Sequence, residues 1–366
     1  MATDAVRAAL AWRKVPGLSP RRFWRACARA GAWTKLPDSD PSLFGDILPS
    51  ERTCRELTRP FDIDVSSELA AAREAKATLL TPFEGPYPRL LREIPDAPLV
   101  LYARGDLGRL SLPAVGIVGA RAATNYGKEV CARLAHDLSS SGVCVVSGMA
   151  RGIDAAAHLA ALGGPGGTVA VQGCGPELPY PEDNRALWDR ICLEGLVLTE
   201  FSPGTEPEAR NFPVRNRIIA GMSSGVVVVE AATRSGSLIT AKFANDFGRD
   251  VFAVPGSVRS ELSDGCHVLL RDGAILCRGA EDVLSEIFPS LEGATAAPGR
   301  GESLSGEAAQ VWKSMAGEES WSADDLAEVN NLPVANLLAI LFDLEARGFL
   351  RTLPGGLFVA IRDTTP

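Results

Sequence analysis

The stretch NFPVRNRIIAGMSSGVVVVEAATRSGSLITA, residues Asn211 to Ala241, decides the fold. It opens on Arg215, Asn216 and Arg217 in an apolar helical turn and passes into the β-branched run Gly225–Val229. It leaves that run through Glu230 and Arg234-Ser235-Gly236-Ser237, where a new helix starts. A run without polar alternation is what a strand buried on both faces of a parallel sheet requires. A Gly-containing turn brings free backbone N–H groups to the helix start, and nearby arginines grip phosphate in bidentate fashion. The segment reads as part of a phosphate-backbone site.

Working outward, the same strand–loop–helix period runs from Pro113 onward. Strands are expected at Ala114–Val118, Val143–Ser147, Thr168–Gly173, Leu196–Glu200, Gly225–Val229 and Asp250–Val254. Helices fit Tyr126–Ser140, Ile153–Leu162, Glu182–Glu194, Val214–Met222 and Ser237–Phe247. Alternating α and β units with apolar strands give a doubly wound parallel sheet, an α/β fold whose ligands sit at the carboxyl ends of the strands.

Several of those strand ends carry similar devices. Gly119 lets backbone approach a ligand while Arg121 supplies counter-charge. Ser147, Gly148, Arg151 and Gly152 surround a turn whose N–H groups suit an anion. The first turn lacks a G-x-G-x-x-G fingerprint and no acidic residue ends the second strand, which counts against a dinucleotide cofactor. No cofactor is expected. Phosphate-type turns along one sheet edge form a track rather than a pocket and suit a polymeric ligand, with Tyr180, Phe212 and Phe243 as candidate platforms for base stacking.

Three other constellations have competing readings. Asp154 and His158 lie one helical turn apart, as an acid–base or metal pair would, but Asp is also favoured near a helix start and no third ligand is visible. Cys174, between Gly173 and Gly175, invites a nucleophile but has no basic partner in sequence and reads as a close-packed turn. Arg217 with Glu230 could activate water on an N-glycosidic bond of a small nucleotide; alternatively Glu230 orients Arg215 or Arg217. The second reading is preferred, so no catalytic residue is expected here.

The flanks are organised differently. Residues 1–60 form a small helical domain, with helices at Ala5–Lys14 and Pro20–Ala30 around Gly17. The layout is that of helix-hairpin or SAM-like units, some of which hold a DNA backbone on Gly N–H groups, but a helical domain that serves packing alone is the preferred reading. Residues 61–112 bridge into the core with a strand at Leu99–Ala103, and the core spans 113–288. A Pro-, Gly- and Ser-rich linker covers 289–305, and 306–366 reads as a winged helix. Its helices fit Glu307–Ala316, Ala323–Val329 with Ser322 as N-cap, and Pro333–Arg347; a two-stranded ribbon, Phe349–Thr352 and Gly356–Ile361, follows. The third helix carries Asp343 and Glu345 against Arg347 alone, a poor reader of a major groove. That composition favours a protein-contact or packing role over transcriptional regulation.

Bulk composition sets outer bounds. The 366 residues are 46% hydrophobic, which suits a globular chain. No apolar run approaches the ~20 residues of a membrane span, and the N-terminus lacks a secretory layout. Eight scattered cysteines without a C-x-x-C pair argue against zinc modules or disulfides and fit a reducing cytoplasm. The net charge of −8 is acidic for a nucleic-acid binder, but net charge governs the far field and a cleft can still be basic.

The segments GIVGARAATNYG, VVSGMARGIDAAAH, VAVQGCGPELPYPEDN, FPVRNRIIAG, VVVVEAATRSGSLITA and VFAVPG, in this order, together with YPRLLREIPDAPLVLYARGD upstream, closely resemble the DNA-processing protein A (DprA/Smf) family from about Leu79 to Leu284. The resemblance implies an extended Rossmann core that binds single-stranded DNA and loads RecA recombinase onto it in natural transformation. It further implies a homodimer that displaces single-strand-binding protein, with no enzymatic activity. Carried onto this chain, the implied DNA contacts are Gly119, Arg121, Ser147, Gly148, Arg151, Gly152, Arg215, Asn216, Arg217, Ser235, Gly236, Ser237 and Lys242. Departures are Met149 in place of the family's usual leucine and Gln172 where an apolar residue is common.

Overall fold

Apolar runs become strands here because each is flanked by a helix that covers one face of the sheet. The computed structural model describes residues 2–289, 306–315, 320–346, 349–353 and 356–360. The chain starts with helices α1 (Asp4–Lys14), α2 (Pro20–Ala30), α3 (Glu51–Leu57) and α4 (Ser66–Glu74). Strand β1 (Thr78–Leu80), the single turn α5 (Arg89–Arg92) and β2 (Leu101–Gly105) follow. Alternation begins with β3 (Ala114–Val118), α6 (Asn125–Ser140), β4 (Cys144–Ser147), α7 (Ile153–Ala161), β5 (Thr168–Val171) and α8 (Arg185–Glu194). It continues through β6 (Leu196–Thr199), α9 (Asn211–Met222), β7 (Gly225–Val228), α10 (Ser237–Asp246), β8 (Asp250–Ala253), α11 (Glu261–Arg271), β9 (Ile275–Leu276) and α12 (Ala280–Ile287).

These strands make one nine-stranded sheet of order β1-β2-β6-β5-β4-β3-β7-β8-β9. Strands β3 to β9 run parallel, whereas β2 pairs antiparallel with β6, and β1 with β2. From β3 the chain moves outward through β4, β5 and β6, then α9 carries it back to β7 on the other side of β3. The order therefore reverses between β3 and β7, in register Val115↔Gly225 to Val118↔Val228, which opens a crevice at their carboxyl ends. The pleat divides the core. Val115, Ile117, Val227 and Val229 pack with α6, α7 and α12 on one face, and Val118, Val226 and Val228 with α9 and α10 on the other.

Helix α9 starts at Asn211, three residues before the expected Val214, so Pro213 stands in its first turn. Proline is tolerated there because first-turn N–H groups need no intrahelical partner. Strands β1 and β9, of three and two residues, are too short for a periodic signal. Gly265 interrupts the apolar pattern of α11 and hides that helix; a Cβ there would lie 2.6 Å from the Ala231 carbonyl oxygen.

The N-terminal helices are delimited by ordinary caps. Thr3 accepts from the Val6 N–H at the start of α1. Ser19 accepts from Arg22 at the start of α2, with Pro20 in the first turn and Gly31 in the left-handed region at its end. Trp12, Phe23, Leu36 and Phe44 from this region share a cluster with Leu99, Val100 and Tyr102, so the helices and the approach to β2 bury one another. Trp12 is fully buried and its indole donates to the Leu57 carbonyl at 2.8 Å.

The chain divides into two compact units between Glu292 and Gly293. The second contains α13 (Gly306–Ser314), β10 (Trp321–Ser322), α14 (Ala323–Asn330), α15 (Val334–Ala346), β11 (Leu350–Leu353) and β12 (Leu357–Ala360). Its sheet has order β10-β12-β11, so the expected two-stranded ribbon gains a third strand from the residues just before α14. Ser322 caps α14 as anticipated, accepting from the Asp325 N–H at 3.1 Å. Residues 290–305 of the expected linker, and the helix and strand ends Ala316, Arg347 and Ile361, lie outside the described residues.

Replacing Trp12 with alanine should empty the centre of the helical cluster and cost about 3–5 kcal/mol. Urea unfolding of the full chain followed by circular dichroism measures this; an unchanged midpoint would contradict the shared core.

Candidate functional site

The crevice at the β3–β7 switch point is built from close backbone contacts. Gly119 follows β3, and a Cβ there would lie 2.6 Å from Ile153 Cγ1, so only glycine lets α7 start against this turn. Gly152 has φ +78° and sits against the Ala120 carbonyl, where a side chain has no room. The result is a recess of about 280 Å³ lined by Gly119, Arg121, Asp154, Phe212, Arg215, Asn216 and Ser235–Ser237, among others. A second recess of about 280 Å³ adjoins it. The two share Arg121, Ala150, Phe212 and Arg215; the second adds Gly148, Arg151, Tyr180 and Asp183.

Phe212 lines both recesses, and two guanidiniums gather around its ring. The guanidinium carbons of Arg121 and Arg215 lie 5.6 and 5.8 Å from its ring centroid, within cation–π range. Tyr180 stacks on the same ring at 5.4 Å. Arg121 is exposed to solvent, whereas Arg215 is 4% exposed. Arg215 donates from Nη1 to the Gly148 carbonyl at 2.6 Å and to that of Val171, and from Nε to Asn216 Oδ1 at 3.1 Å. Burial lowers its pKa to about 10, so it stays charged at neutral pH. Gly148 is the space between Arg215 and Asp154: a Cβ there would come 2.6 Å from Arg215 Nη2 and 2.7 Å from Asp154 Oδ2.

The remaining anticipated residues fall into two groups. Asn216 donates to the Gly236 carbonyl at 3.2 Å, and the Ser235 and Ser237 hydroxyls lie 2.6 Å apart, so this turn flanks the first recess. Arg151 is exposed and pairs with Asp183 at 2.6 Å, a contact worth little in water. Lys242 is exposed on α10 and is not part of either recess lining. Ser147 is buried and donates to the Ile117 carbonyl at 2.6 Å. Arg217 is buried and turned away, paired with Glu200 at 2.5 Å and Asp96 at 3.4 Å. Phe243 stacks on Phe247 against the main core and lines neither recess, unlike Phe212 and Tyr180.

Glu230 differs from both sequence readings. It accepts from the Thr124 N–H at 2.9 Å and from its hydroxyl at 2.5 Å, and pairs with neither Arg215 nor Arg217. Thr124 also caps α6 by accepting from Gly127 N–H at 3.0 Å, so Glu230 fastens the loop that carries Arg121. Glu200 and Asp96 take the arginine-orienting role expected of Glu230. Nothing near Arg217 in sequence announces them, since the pairing exists only once α9 crosses the sheet. Cys174 is buried beside the Leu178 carbonyl, and burial pushes its thiol pKa up to about 12. Gln172 is polar for a reason: it donates to the Leu178 carbonyl at 2.9 Å and accepts from the Trp188 indole at 3.0 Å.

Asp154 and His158 do not face a common ligand. Asp154 accepts from the Ala150 N–H at 3.2 Å, and burial, partly offset by Arg215, raises its pKa. His158 is fully buried with Nδ1 2.6 Å from Thr168 Oγ1. That hydroxyl donates to the Val145 carbonyl at 2.7 Å, so the imidazole donates from Nδ1. Among the described residues no group of three or more His, Cys, Asp or Glu could hold a metal ion.

Burial, with Arg215 nearby, lowers the His158 pKa to about 3. An unfolded histidine titrates near ~6.5, so below that pH the unfolded chain binds the extra proton. Stability then falls on acidification by up to about 1.4 kcal/mol per pH unit towards pH 3. Asp154 and Glu200, whose pKa values are raised, act in the opposite sense and cancel in a comparison of variants. Urea midpoints of His158→Gln and the parent chain should converge as pH drops below 6.5; parallel pH profiles would contradict a buried neutral imidazole.

The family described as DNA recombination-mediator protein A matches residues 78–288, and the DprA winged helix domain matches residues 295–356. The DNA processing protein DprA of Streptococcus pneumoniae is 49% identical over 200 residues, covering 55% of this chain and 71% of that protein. A putative DNA processing protein DprA of Mycobacterium tuberculosis is 39% identical over 317 residues, 82% of this chain and 80% of that protein. The X-ray structure of the Streptococcus pneumoniae protein superposes with a TM-score of 0.67 at 38% identity, covering 78% of this chain and 99% of that one. DNA processing protein A from Helicobacter pylori, in a structure describing its single-stranded DNA binding mode, gives a TM-score of 0.54 at 29% identity over 59% of this chain and 97% of that one. With a parallel core of this topology, a winged-helix unit and relatives that span most of its length, the chain belongs to the DNA recombination-mediator protein A (DprA/Smf) family of DNA-processing proteins.

Proposed function

We propose that this protein holds single-stranded DNA by its backbone across the carboxyl rim of the sheet and hands it to RecA recombinase. The observation that carries the reading is the pair of guanidiniums, one exposed and one buried, that both lie within cation–π range of Phe212 and line both of two adjoining open recesses. Such a site supplies the two things a sequence-tolerant binder needs, charge for phosphate and a π-face for bases. The Helicobacter pylori relative's single-stranded DNA binding mode supports it, and the family description as a recombination mediator supports delivery to a recombinase.

Within this proposal, Gly119, Gly148, Gly152 and Ser235–Ser237 provide close backbone approach, while Arg121, Arg151, Asn216 and Lys242 contact phosphates. Arg215 contributes charge from behind the surface, and Ser147 and Arg217 hold the frame rather than the ligand. Residues 113–288 do this work, with 1–60 and 61–112 attached upstream and the linker 289–305 leading to a protein-contact module at 306–366. The acidic α14 and α15 support that last assignment. We further take the protein to act as a cytoplasmic homodimer in natural transformation or recombination, displacing single-strand-binding protein. No helix among the described residues is long and apolar enough to cross a membrane. A glycosidic hydrolase working through Arg217 and Glu230 has less support, because these side chains are committed to Glu200, Asp96 and Thr124.

Oligo-dT binding across a salt series tests the site. Arg121→Ala should make the slope of log K against log salt shallower by about 0.7, one phosphate contact on a single strand. Phe212→Ala should cost about 1–3 kcal/mol on any base sequence, as loss of a stacking platform does. An unchanged slope and affinity in Arg121→Ala would remove the proposal's basis.

A further inference from the structure

The charge of this acidic protein is unevenly placed. Residues 1–60 carry eleven Lys and Arg against six Asp and Glu, a net of +5 in a chain of net −8. On α2 these charges are ordered. Arg21, Arg22, Arg25 and Arg29 fall within a ~100° arc of the helix, along a rise of about 12 Å. All four are exposed, while Phe23, Ala26 and Cys27 face the core and the Trp24 indole donates to the Ala97 carbonyl at 3.0 Å. The helix contains no acidic residue.

The fold uses only part of this stripe, since Arg29 donates to the Leu43 carbonyl at 3.2 Å and Arg22 holds the α1–α2 turn. Among the described residues only Arg29 of the four enters an ion pair, with Asp46. Arg22 donates to the Gly17 carbonyl at 2.8 Å, across the turn between α1 and α2. Like charges four residues apart weaken a helix, and Arg21–Arg25 and Arg25–Arg29 are two such pairs on one short helix. Charges kept for solubility alone are usually interspersed in sign. An interface with an acidic protein would have an apolar centre, yet no large apolar side chain is exposed on α2. A ladder of guanidiniums without an apolar centre matches phosphate contacts, which position a strand without reading it.

We propose that α2 is a second nucleic-acid backbone site, separate from the sheet-rim recess, taking a phosphodiester strand along Arg21, Arg22 and Arg25. The neighbouring helix-hairpin geometry sets the stripe on a rigid support: Gly17 is at φ +79°, with its α-carbon packed against Pro49, and Ser19 caps the helix. Neither matched family region reaches residues 1–77, so no role is assigned to this helix by the comparisons above. The inference does not rest on the sheet-rim reading; it stands on the asymmetry and order of charge in the N-terminal helices.

The test uses the full chain and the double variant Arg21→Gln/Arg25→Gln, with Arg89→Gln/Arg271→Gln as a control that removes the same charge from other exposed positions. Three probes are titrated across a salt series: a dT hexanucleotide, a long oligo-dT and a duplex of equal length. On the long single strand the variant's salt slope should become shallower by about 1.4, or on the duplex by about 1.8, with the control unchanged. Which long probe responds identifies the strand type. Hexanucleotide binding should be insensitive to the α2 variant and sensitive to Arg121→Ala. If neither long probe responds, or the control responds equally, the α2 site is wrong while the rim site stands. If only Arg121→Ala is silent, the rim site fails and α2 stands. Thermal unfolding confirms that these exposed substitutions leave the fold intact, and photo-crosslinking of a long oligonucleotide to the 19–31 segment provides an independent readout.

Discussion

A single buried cation ties the sheet's strand ends together. Arg215 must find acceptors once it is out of water, because an unpaired buried charge is strongly destabilising. It finds them in the carbonyls of Gly148 and Val171, which emerge from β4 and β5. Helix α9, the crossover of the fold, is thereby fixed to the carboxyl ends of strands it does not adjoin in sequence. Asp154 lies close by, separated from the guanidinium only by the missing side chain of Gly148. The chemistry of the rim follows from this anchoring, since Phe212 is placed by the same helix, and Arg121 meets its ring from a different loop.

Glu230 performs the corresponding service for that loop. Its carboxylate closes on both polar groups of Thr124, and Gly127 leaves room for it; a Cβ there would be 2.4 Å from the carboxylate. Acidic side chains near the rim thus act mainly as internal fasteners. Glu230 holds a loop, Glu200 and Asp96 hold Arg217, and Arg121 is left facing water. This eases the tension between an anionic chain and a cationic edge: Glu230, Glu200 and Asp96 are spent on framework contacts, while of the exposed carboxylates at the second recess Asp183 pairs with Arg151 and Arg121 still faces water.

The sequence disclosed the parallel sheet and the loops that meet at its edge because β-branched runs and glycine turns are local signals. Gly119, Arg121, Gly148 and Ser235–Ser237 were legible as neighbours once their strands were recognised as parallel. Which arginine lines the recesses was not legible, since Arg215 and Arg217 sit two residues apart on one helix and differ only in the partners that the crossover brings. The fastening role of Glu230, the ion pair of Arg217 with Asp96 and the stack of Tyr180 on Phe212 are long-range and leave no periodic trace. Short edge strands escaped for a related reason, being set by pairing with a neighbour rather than by their own composition.

The two margins of the large sheet carry a consequence of their own. At one margin the parallel order is broken by the antiparallel strands β2 and β1, and at the other it stops in a strand of only two residues. Unpaired backbone at a long flat edge invites another chain to add itself as a further strand. Here the two border strands are only three and two residues long, so the large sheet offers no extended template on which a further strand could be laid.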